Sequence, residues 1–321
     1  MSTKNDVLSM LELSRDRYIS GQELAEKLGV SRAAIWKAVQ SLEEEGHGIL
    51  ALTKKGYRLN AASDLLSEEG VRANLPDRYK DCRIIVMSVT DSTNNQAKKL
   101  AAEGAAHGTL LLAEEQTAGR GRYGKSFFSP RGEGLYMSVI LKPSLRMAEP
   151  QMITVAAAVA VCSAIEKLAE LEPSIKWVND IYMDGKKICG ILSEAVTDFE
   201  SGGIDSIIVG VGVDCSIDEK SLPPELLGIV GSLGGGVFRN RLAAELASGI
   251  LDSFQDLGKR EIIDGYRQRS LMTGRDILYM RGNEELHARV TGISDTGGLL
   301  VITEQGTEAE LQSGEVSLIS Y

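Results

Sequence analysis

Apolar positions in the first sixty residues recur first at helical spacing and then at strand spacing. Val7, Leu8 and Leu11 share one face of a helix over residues 5–13. Ser20-Gly21-Gln22-Glu23 is a capping box that opens a second helix through Leu24 and Leu28, and Gly29 ends it. Val30 plugs the turn and Ser31 caps a third helix, which turns Ile35, Val39 and Leu42 inward and leaves Arg32, Ala33, Trp36 and Lys37 outside. Ile49 to Leu52, the turn Thr53-Lys54-Lys55-Gly56, and Tyr57 to Leu59 read as a two-stranded hairpin. The pattern predicts a winged helix-turn-helix over residues 1–62.

After a short link, Asn60 to Ser63, the pattern changes. Arg83 to Val89, Thr109 to Glu114, Leu135 to Leu141 and Ile207 to Val213 are strand-like, Asn94 to Glu103 is helix-like, and long helical patterns cover Met152 to Leu171 and Arg241 to Leu257. This mixture predicts an α+β or α/β core over residues 63–270, a mixed sheet with helices. From about Thr273 short strands alternate with glycine turns: Ile277 to Met280, Leu286 to Ile293, Leu299 to Ile302, Ala309 to Leu311 and Val316 to Ile319. A small β-barrel over residues 271–321 is the simplest closure.

Composition adds limits. With 321 residues, 43% apolar and 25% charged, the chain has the make-up of a soluble globular protein of two or three domains. The longest charge-free stretch, between Glu149 and Glu166, is interrupted by Pro150, Gln151, Thr154 and Ser163 and falls short of the roughly 20 apolar residues of a bilayer span. No transmembrane helix is expected. The N-terminal stretch meets Asp6 and Glu12 before any apolar core, unlike a secretory signal, so a cytoplasmic location is expected. The net charge is -10, but residues 1–60 hold nine Lys and Arg against eight Asp and Glu, and the remainder 26 against 37. Nucleic-acid contact therefore belongs to the first domain, through Ser31, Arg32, Ala33, Trp36 and Lys37 on the third helix and Lys54 and Lys55 on the wing. A helical pair used only for packing would lack that agreement of turn, wing and charge. Cys82, Cys162, Cys189 and Cys215 form no C-x-x-C, and His47, His107 and His287 no H-E-x-x-H, so no protein-held transition metal is expected.

Gly119-Arg120-Gly121-Arg122-Tyr123-Gly124 matches the dinucleotide fingerprint G-x-G-x-x-G, but that loop should open a helix. Here it runs instead into Ser126-Phe127-Phe128-Ser129-Pro130-Arg131-Gly132 and another strand, which rejects a nicotinamide-dependent oxidoreductase. Two arginines in a glycine loop fit a backbone that folds over an anion and clamps it. Ser92-Thr93-Asn94 stands where strand meets helix, and Thr93 to Gln96 reads as a capping box. Lys176-Trp177-Val178-Asn179-Asp180 ends a strand in two polar groups, and Asp184-Gly185-Lys186-Lys187 turns the chain back into Ile188-Cys189-Gly190-Ile191-Leu192.

Together these segments resemble the biotin protein ligase family, in particular its bifunctional members, the biotin operon repressors. The resemblance is carried by Asp91-Ser92-Thr93-Asn94, Glu115-Gln116 with GRGRYGKSFFSP (119–130), KWVNDIYMDGKKICGILSE (176–194), Gly210-Val211-Gly212-Val213 and Gly314-Glu315-Val316-Ser317-Leu318, and it spans nearly the whole chain. It implies a core like that of class II synthetases, an SH3-like C-terminal barrel and a two-step reaction. Biotin and MgATP give biotinyl-5'-AMP and pyrophosphate, and a lysine of a biotin carboxyl carrier protein then displaces AMP. The magnesium travels with the ATP.

On this resemblance Ser92, Thr93, Asn94, Gln116, Arg120, Gly121, Arg122 and Lys187 match biotin-binding positions, and Arg122, Asn179 and Lys187 nucleotide-binding ones. Lys187, Arg122 and Asp180 match the catalytic set, with Asp180 assigned to metal binding or to orienting the incoming lysine. Unspent biotinyl-AMP would promote a homodimer that binds a two-fold operator DNA. Four positions depart from the family pattern: Val178 for a common proline, Phe127 for tryptophan, Asp214 where asparagine usually follows G-V-G-V, and Ile319 where many members have arginine. Two other readings stand beside this one: a ligand-sensing repressor without ligase activity, and a lipoate-type acyl ligase.

Overall fold

The computed structural model describes residues 2–143, 150–197, 203–281 and 284–319. At its N-terminal end α1 (Thr3–Glu12), α2 (Gly21–Leu28) and α3 (Arg32–Glu44) are followed by the hairpin β1 (Ile49–Leu52) and β2 (Gly56–Leu59). The serines act as expected: the Ser20 and Ser31 hydroxyl oxygens accept from the backbone N–H of Glu23 and Ala34, at 3.0 and 3.2 Å. Gly29, at φ 65°, closes α2 in the left-handed region. Val7, Leu8, Leu11, Leu24, Ile35, Val39 and Leu42 form a self-contained core under the wing.

The central region runs α4 (Glu68–Asn74), β3 (Ile84–Met87), α5 (Thr93–Ala102), β4 (Thr109–Ala113), β5 (Gly134–Leu141), α6 (Pro150–Ala169), β6 (Ser174–Lys176), β7 (Asp180–Met183), β8 (Lys186–Thr197), β9 (Ile204–Asp214), α7 (Arg239–Gln255) and α8 (Arg260–Arg269). Its sheet has the order β3-β4-β5-β9-β8-β7-β6, with β3 and β4 parallel and every other pair antiparallel. Alternation along the strands divides the apolar residues between two faces. Leu110, Leu112, Met137, Val139, Val209 and Val211 join the large cluster under α6, α7 and α8, whereas Leu111, Ile140 and Ile208 meet Ala97 and Ala101 of α5. α6 is long and apolar enough, by length and composition, to cross a bilayer. Here its apolar surface is spent inside the larger core, which takes in Val155, Ala158, Val161 and Ile165.

The C-terminal strands β10 (Asp276–Arg281), β11 (Glu284–Ile293), β12 (Leu299–Thr303), β13 (Glu308–Leu311) and β14 (Val316–Leu318) pair antiparallel in the order β13-β12-β11-β10-β14. The strands match expectation, but the barrel takes the form of a five-stranded sheet. Among the described residues its edges, β13 and β14, are not hydrogen-bonded to each other.

The junction between the first domain and the core is polar and buried. Asn240, fully buried, donates to Glu12 Oε1 at 2.8 Å and to the Leu65 carbonyl at 3.0 Å, and accepts from the Ser67 N–H at 3.1 Å. Arg15 pairs with Glu12, donates to the Ser63 carbonyl and lies 4.0 Å over the Phe238 ring. Arg239, next in the chain, bridges Asp64 and the buried Glu114.

Candidate functional site

One face of the central sheet holds a cavity of about 420 Å³. Its floor follows from strand alternation, because Val209, Val211 and Val213 point into the large core and Gly210, Gly212 and Asp214 point the other way. Two of these glycines are sterically required. A Cβ on Gly210 would lie 2.1 Å from Asn94 Oδ1, and one on Gly212 would lie 2.5 Å from the Phe127 ring. Gly190, paired with Gly212 across the sheet, carries the other edge of that ring.

At one end Ser92, Thr93 and Asn94 are buried at the start of α5. Gln116 Oε1 accepts from the Thr93 N–H at 2.8 Å, and Gln116 Nε2 donates to Ser129 Oγ at 3.0 Å. Asn94 Nδ2 donates to Glu194 Oε2 at 2.9 Å and to the Leu192 carbonyl at 3.2 Å. Ser138 on β5, fully buried, lies 2.7 Å from Asn94 Oδ1 and 2.8 Å from Thr93 Oγ1. The capping box expected at Thr93 is therefore corrected. Ser92 is the N-cap, without a side-chain capping bond, because Thr93 already stands in the helix and its hydroxyl is spent on Gln116 and Ser138. Just before the helix the Asp91 carboxylate accepts from the side-chain amides of Asn95 and Gln96, and those bonds hold it well below the usual carboxylate range.

In the middle, Lys187 Nζ donates to Asp180 Oδ1 at 2.7 Å, Asn179 Nδ2 donates to the same oxygen at 3.1 Å, and Arg122 Nη1 donates to Asn179 Oδ1 at 3.1 Å. Four residues named from sequence thus form one hydrogen-bonded series with a cation at each end. The hairpin that brings Lys187 back to Asp180 turns at Asp184 and Gly185, both at positive φ (50° and 74°). The backbone of Lys187 is also held from the far side: its N–H donates to the Ile229 carbonyl and its carbonyl accepts from Gly231.

The glycine-arginine loop folds on itself, with Gly121 N–H donating to the Lys125 carbonyl at 2.7 Å and Phe127 N–H to the Gly119 carbonyl at 2.9 Å. No helix succeeds it: the loop itself holds a single turn over Arg122–Gly124, and the next element is β5. Of its glycines the one that packing demands is Gly119, where a Cβ would lie 2.4 Å from the Phe127 carbonyl; at Gly121 the nearest atom is 3.4 Å away. Arg120 reaches Asn95 Oδ1 at 3.0 Å, on the rim and apart from the central series. Lys125 pairs with Glu315, so Gly314, Glu315 and Val316 of the last domain line the cavity, whereas Ile319 does not.

Every core residue assigned from sequence to biotin, nucleotide or catalysis lines this one cavity. Ser138, Glu194 and the wall of Leu226, Ile229 and Val230 were missed. Ser138 carries no sequence signal, being one serine in the apolar run Leu135 to Leu141. In the first domain Ser31, Arg32, Ala33, Trp36, Lys37, Lys54 and Lys55 are all exposed, and Trp36, at 55%, is an unusually bare indole. Among the described residues no group of three or more His, Cys, Asp or Glu could hold a metal ion.

Comparison with known proteins identifies all three regions of the chain. Residues 86–214 match the biotin/lipoate A/B protein ligase family, residues 3–58 an HTH domain, and residues 277–319 the biotin protein ligase C-terminal domain. The bifunctional ligase/repressor BirA of Bacillus subtilis is 32% identical, covering 98% of both chains, and that of Escherichia coli is 29% identical over 96% of this chain and 95% of its own. A solved biotin protein ligase from Aquifex aeolicus, in complex with biotin and ATP, is 28% identical with a TM-score of 0.64, over 74% of this chain and 98% of that one. The chain belongs to the biotin protein ligase family, among its bifunctional ligase/repressors.

Proposed function

We propose that this protein activates biotin with MgATP, transfers it to a lysine of a biotin carboxyl carrier protein, and represses transcription as a homodimer when the adenylate accumulates. The observation that carries the ligase reading is the series Arg122–Asn179–Asp180–Lys187, facing across one floor the polar cradle of Ser92, Thr93, Asn94 and Gln116. Biotin is an uncharged fused-ring urea with a carboxylate tail. The cradle offers its ring paired donors and acceptors, and the tail runs toward Lys187.

In the first step a carboxylate oxygen of biotin attacks the α-phosphorus, the bond to the bridging oxygen breaks and pyrophosphate leaves. Negative charge gathers on the α-phosphate oxygens, where the Lys187 ammonium and Arg122 guanidinium neutralise it beside the magnesium of the substrate. Asp180 holds the Lys187 nitrogen in place. In the second step the carrier lysine, as a free amine, attacks the anhydride carbonyl; the carbon–oxygen bond to AMP breaks, an amide forms and the amine sheds a proton. No enzyme nucleophile is needed. Incubation with labelled biotin, ATP and a carrier domain tests the reading, and an unlabelled carrier would reject it in favour of a ligand-sensing repressor.

Arg122→Gly should leave adenylate synthesis measurable but speed release of biotinyl-AMP about 10- to 100-fold, the worth of one charge-assisted contact of about 1.5–3 kcal/mol. The freed mixed anhydride should label bystander lysines, visible by mass spectrometry; tight retention in the variant would count against the clamp.

For DNA, α3 lies in the major groove with Arg32, Ala33, Trp36 and Lys37 toward the bases, and Lys54 and Lys55 meet phosphates. Lys54→Ala with Lys55→Ala should weaken binding to every duplex alike and flatten its salt dependence by about one unit per lost phosphate contact. Titrations at several salt concentrations read this directly, and an unchanged slope would remove the wing from the interface. DNA binding and carrier modification both place the protein in the cytoplasm.

A further inference from the structure

Behind the biotin cradle stand two polar side chains that do not line the cavity, Ser138 on β5 and Glu194 on β8. Ser138 is fully buried, and the Glu194 carboxylate lies between Asn94 and Lys98, at 2.9 Å from each. Their bonds dictate where the protons of the cradle go. Burial alone would raise the Glu194 carboxyl, but the bonds from Asn94 and Lys98 outweigh it and hold it below the usual carboxylate range, so Glu194 only accepts. The Leu192 carbonyl only accepts as well. The Asn94 amide faces both, at 2.9 and 3.2 Å, and must turn its two N–H groups to them and its oxygen to Ser138.

An amide oxygen cannot donate, so the Ser138 hydroxyl gives its one proton to Asn94 Oδ1 at 2.7 Å. Ser138 also lies 2.8 Å from Thr93 Oγ1, and with its own proton spent that contact holds only if Thr93 is the donor. Gln116 Oε1 is farther from the Thr93 hydroxyl, at 3.2 Å, and already takes the Thr93 backbone N–H at 2.8 Å. The Thr93 hydroxyl is thus left with lone pairs alone to offer a ligand. A second series is fixed in the same way. Ser129 donates to the Phe127 carbonyl at 2.9 Å, so it accepts from Gln116 Nε2 and leaves that nitrogen one N–H to spare.

We propose that Ser138 and Glu194 are positioning residues that lock the Thr93 hydroxyl as a pure acceptor, so that the cradle admits a ring N–H at that point and refuses a ring oxygen. This rests on the ligase reading above. A cyclic urea carries an N–H on each side of its carbonyl and meets the requirement, whereas the dithiolane ring of a lipoyl group brings no donor at all. The selection is made one layer behind the surface that the ligand touches. An ordinary threonine hydroxyl rotates to suit either a donor or an acceptor; here rotation would leave Ser138 facing Thr93 with no proton between them.

The test is calorimetric binding to the full chain of biotin and of its two cyclic carbamate analogues, in each of which one ring N–H is replaced by oxygen, with melting temperature alongside. The wild type should bind the analogue whose oxygen meets Thr93 about 10- to 100-fold more weakly than biotin. In Ser138→Ala the Thr93 proton is released and can turn to Gln116 or to the ring oxygen, so that ratio should collapse to within about threefold, while the ratio for the other analogue stays as it was. Glu194→Gln keeps an acceptor for Asn94 and should leave both ratios within about twofold of the wild type's. Glu194→Ala removes one of the two acceptors that orient Asn94 and should lower the first ratio at least threefold, which carries the test even if Ser138→Ala does not fold. A merely structural role would lower the melting temperature and all three affinities together. Ratios unchanged in Ser138→Ala, equal shifts for both analogues, or alanine and glutamine at position 194 behaving alike would overturn the proposal. A wild type that binds no biotin would overturn the ligase reading, and this proposal with it.

Discussion

Lys187→Ala should slow adenylate formation by about 10²- to 10³-fold while biotin affinity stays within a few fold, because the charge that Lys187 answers develops mainly in the transition state. The geometry favours such a separation. The Lys187 nitrogen is bound to Asp180 rather than to any group of the biotin cradle, and its backbone is pinned independently by Ile229 and Gly231. Truncation therefore removes an ammonium and leaves the hairpin standing. Single-turnover measurement of adenylate beside equilibrium biotin binding separates the two quantities. Equal losses in both would mean that Lys187 binds the ground state and does no more. Arginine should rescue poorly, since a planar fork cannot take the place of a compact ammonium held at 2.7 Å by one carboxylate oxygen.

Removing residues 1–62 should abolish operator binding altogether and leave most of the biotin transfer, because every residue assigned to the chemistry lies beyond Ser63. The junction adds a cost that the sequence does not show. Deletion takes Glu12 from Asn240 and Arg15 from Phe238, and it ends the contact between Asn5 and Glu69. The shortened protein should lose about 1–3 kcal/mol, in the range of a broken buried hydrogen-bond network, and melt several degrees lower. Footprinting with biotin and ATP, beside a carrier-labelling assay, reads both arms. A truncated protein that still protected operator DNA would move DNA recognition out of this domain, and one that no longer labelled carrier while remaining folded would make the domain part of the catalytic unit.

The first domain was legible because its cues are local. Ser20, Gly29 and Ser31 act within a few residues of themselves, and Lys54 and Lys55 lie in a turn that their own segment forms. The same holds for the turn at Asp184 and Gly185 that aims Lys187. The features that escaped are short or non-local. α4 has seven residues, too few for a period to show, and the strand read as ending at Asn179 and Asp180 stops at Lys176, with Asp180 opening β7 instead. α8 is so polar that Ile262, Ile263 and Tyr266, all buried, do not stand out as a stripe. At the site, the resemblance named side chains that would touch ligand, but Ser138 and Glu194, which hold Thr93 and Asn94, come from strands 44 or more residues away, where spacing carries no information. In the glycine loop the resemblance singles out Gly121 as a ligand position, while the packing that demands a glycine at Gly119, where a Cβ would meet the Phe127 carbonyl, is not visible in the motif.

The bond between Glu12 and Asn240 joins positions 228 residues apart in the chain. During synthesis the winged domain, whose core of Val7, Leu11, Ile35 and Leu42 is complete early, can fold as soon as it clears the ribosome. Its face toward Asn240 must then wait in water, with Glu12 held by Arg15 alone, until nearly three quarters of the protein has been made. A nascent chain therefore has a folded DNA-binding module before it has the surface that fixes how that module is held, and the two activities are joined only when α7 has emerged.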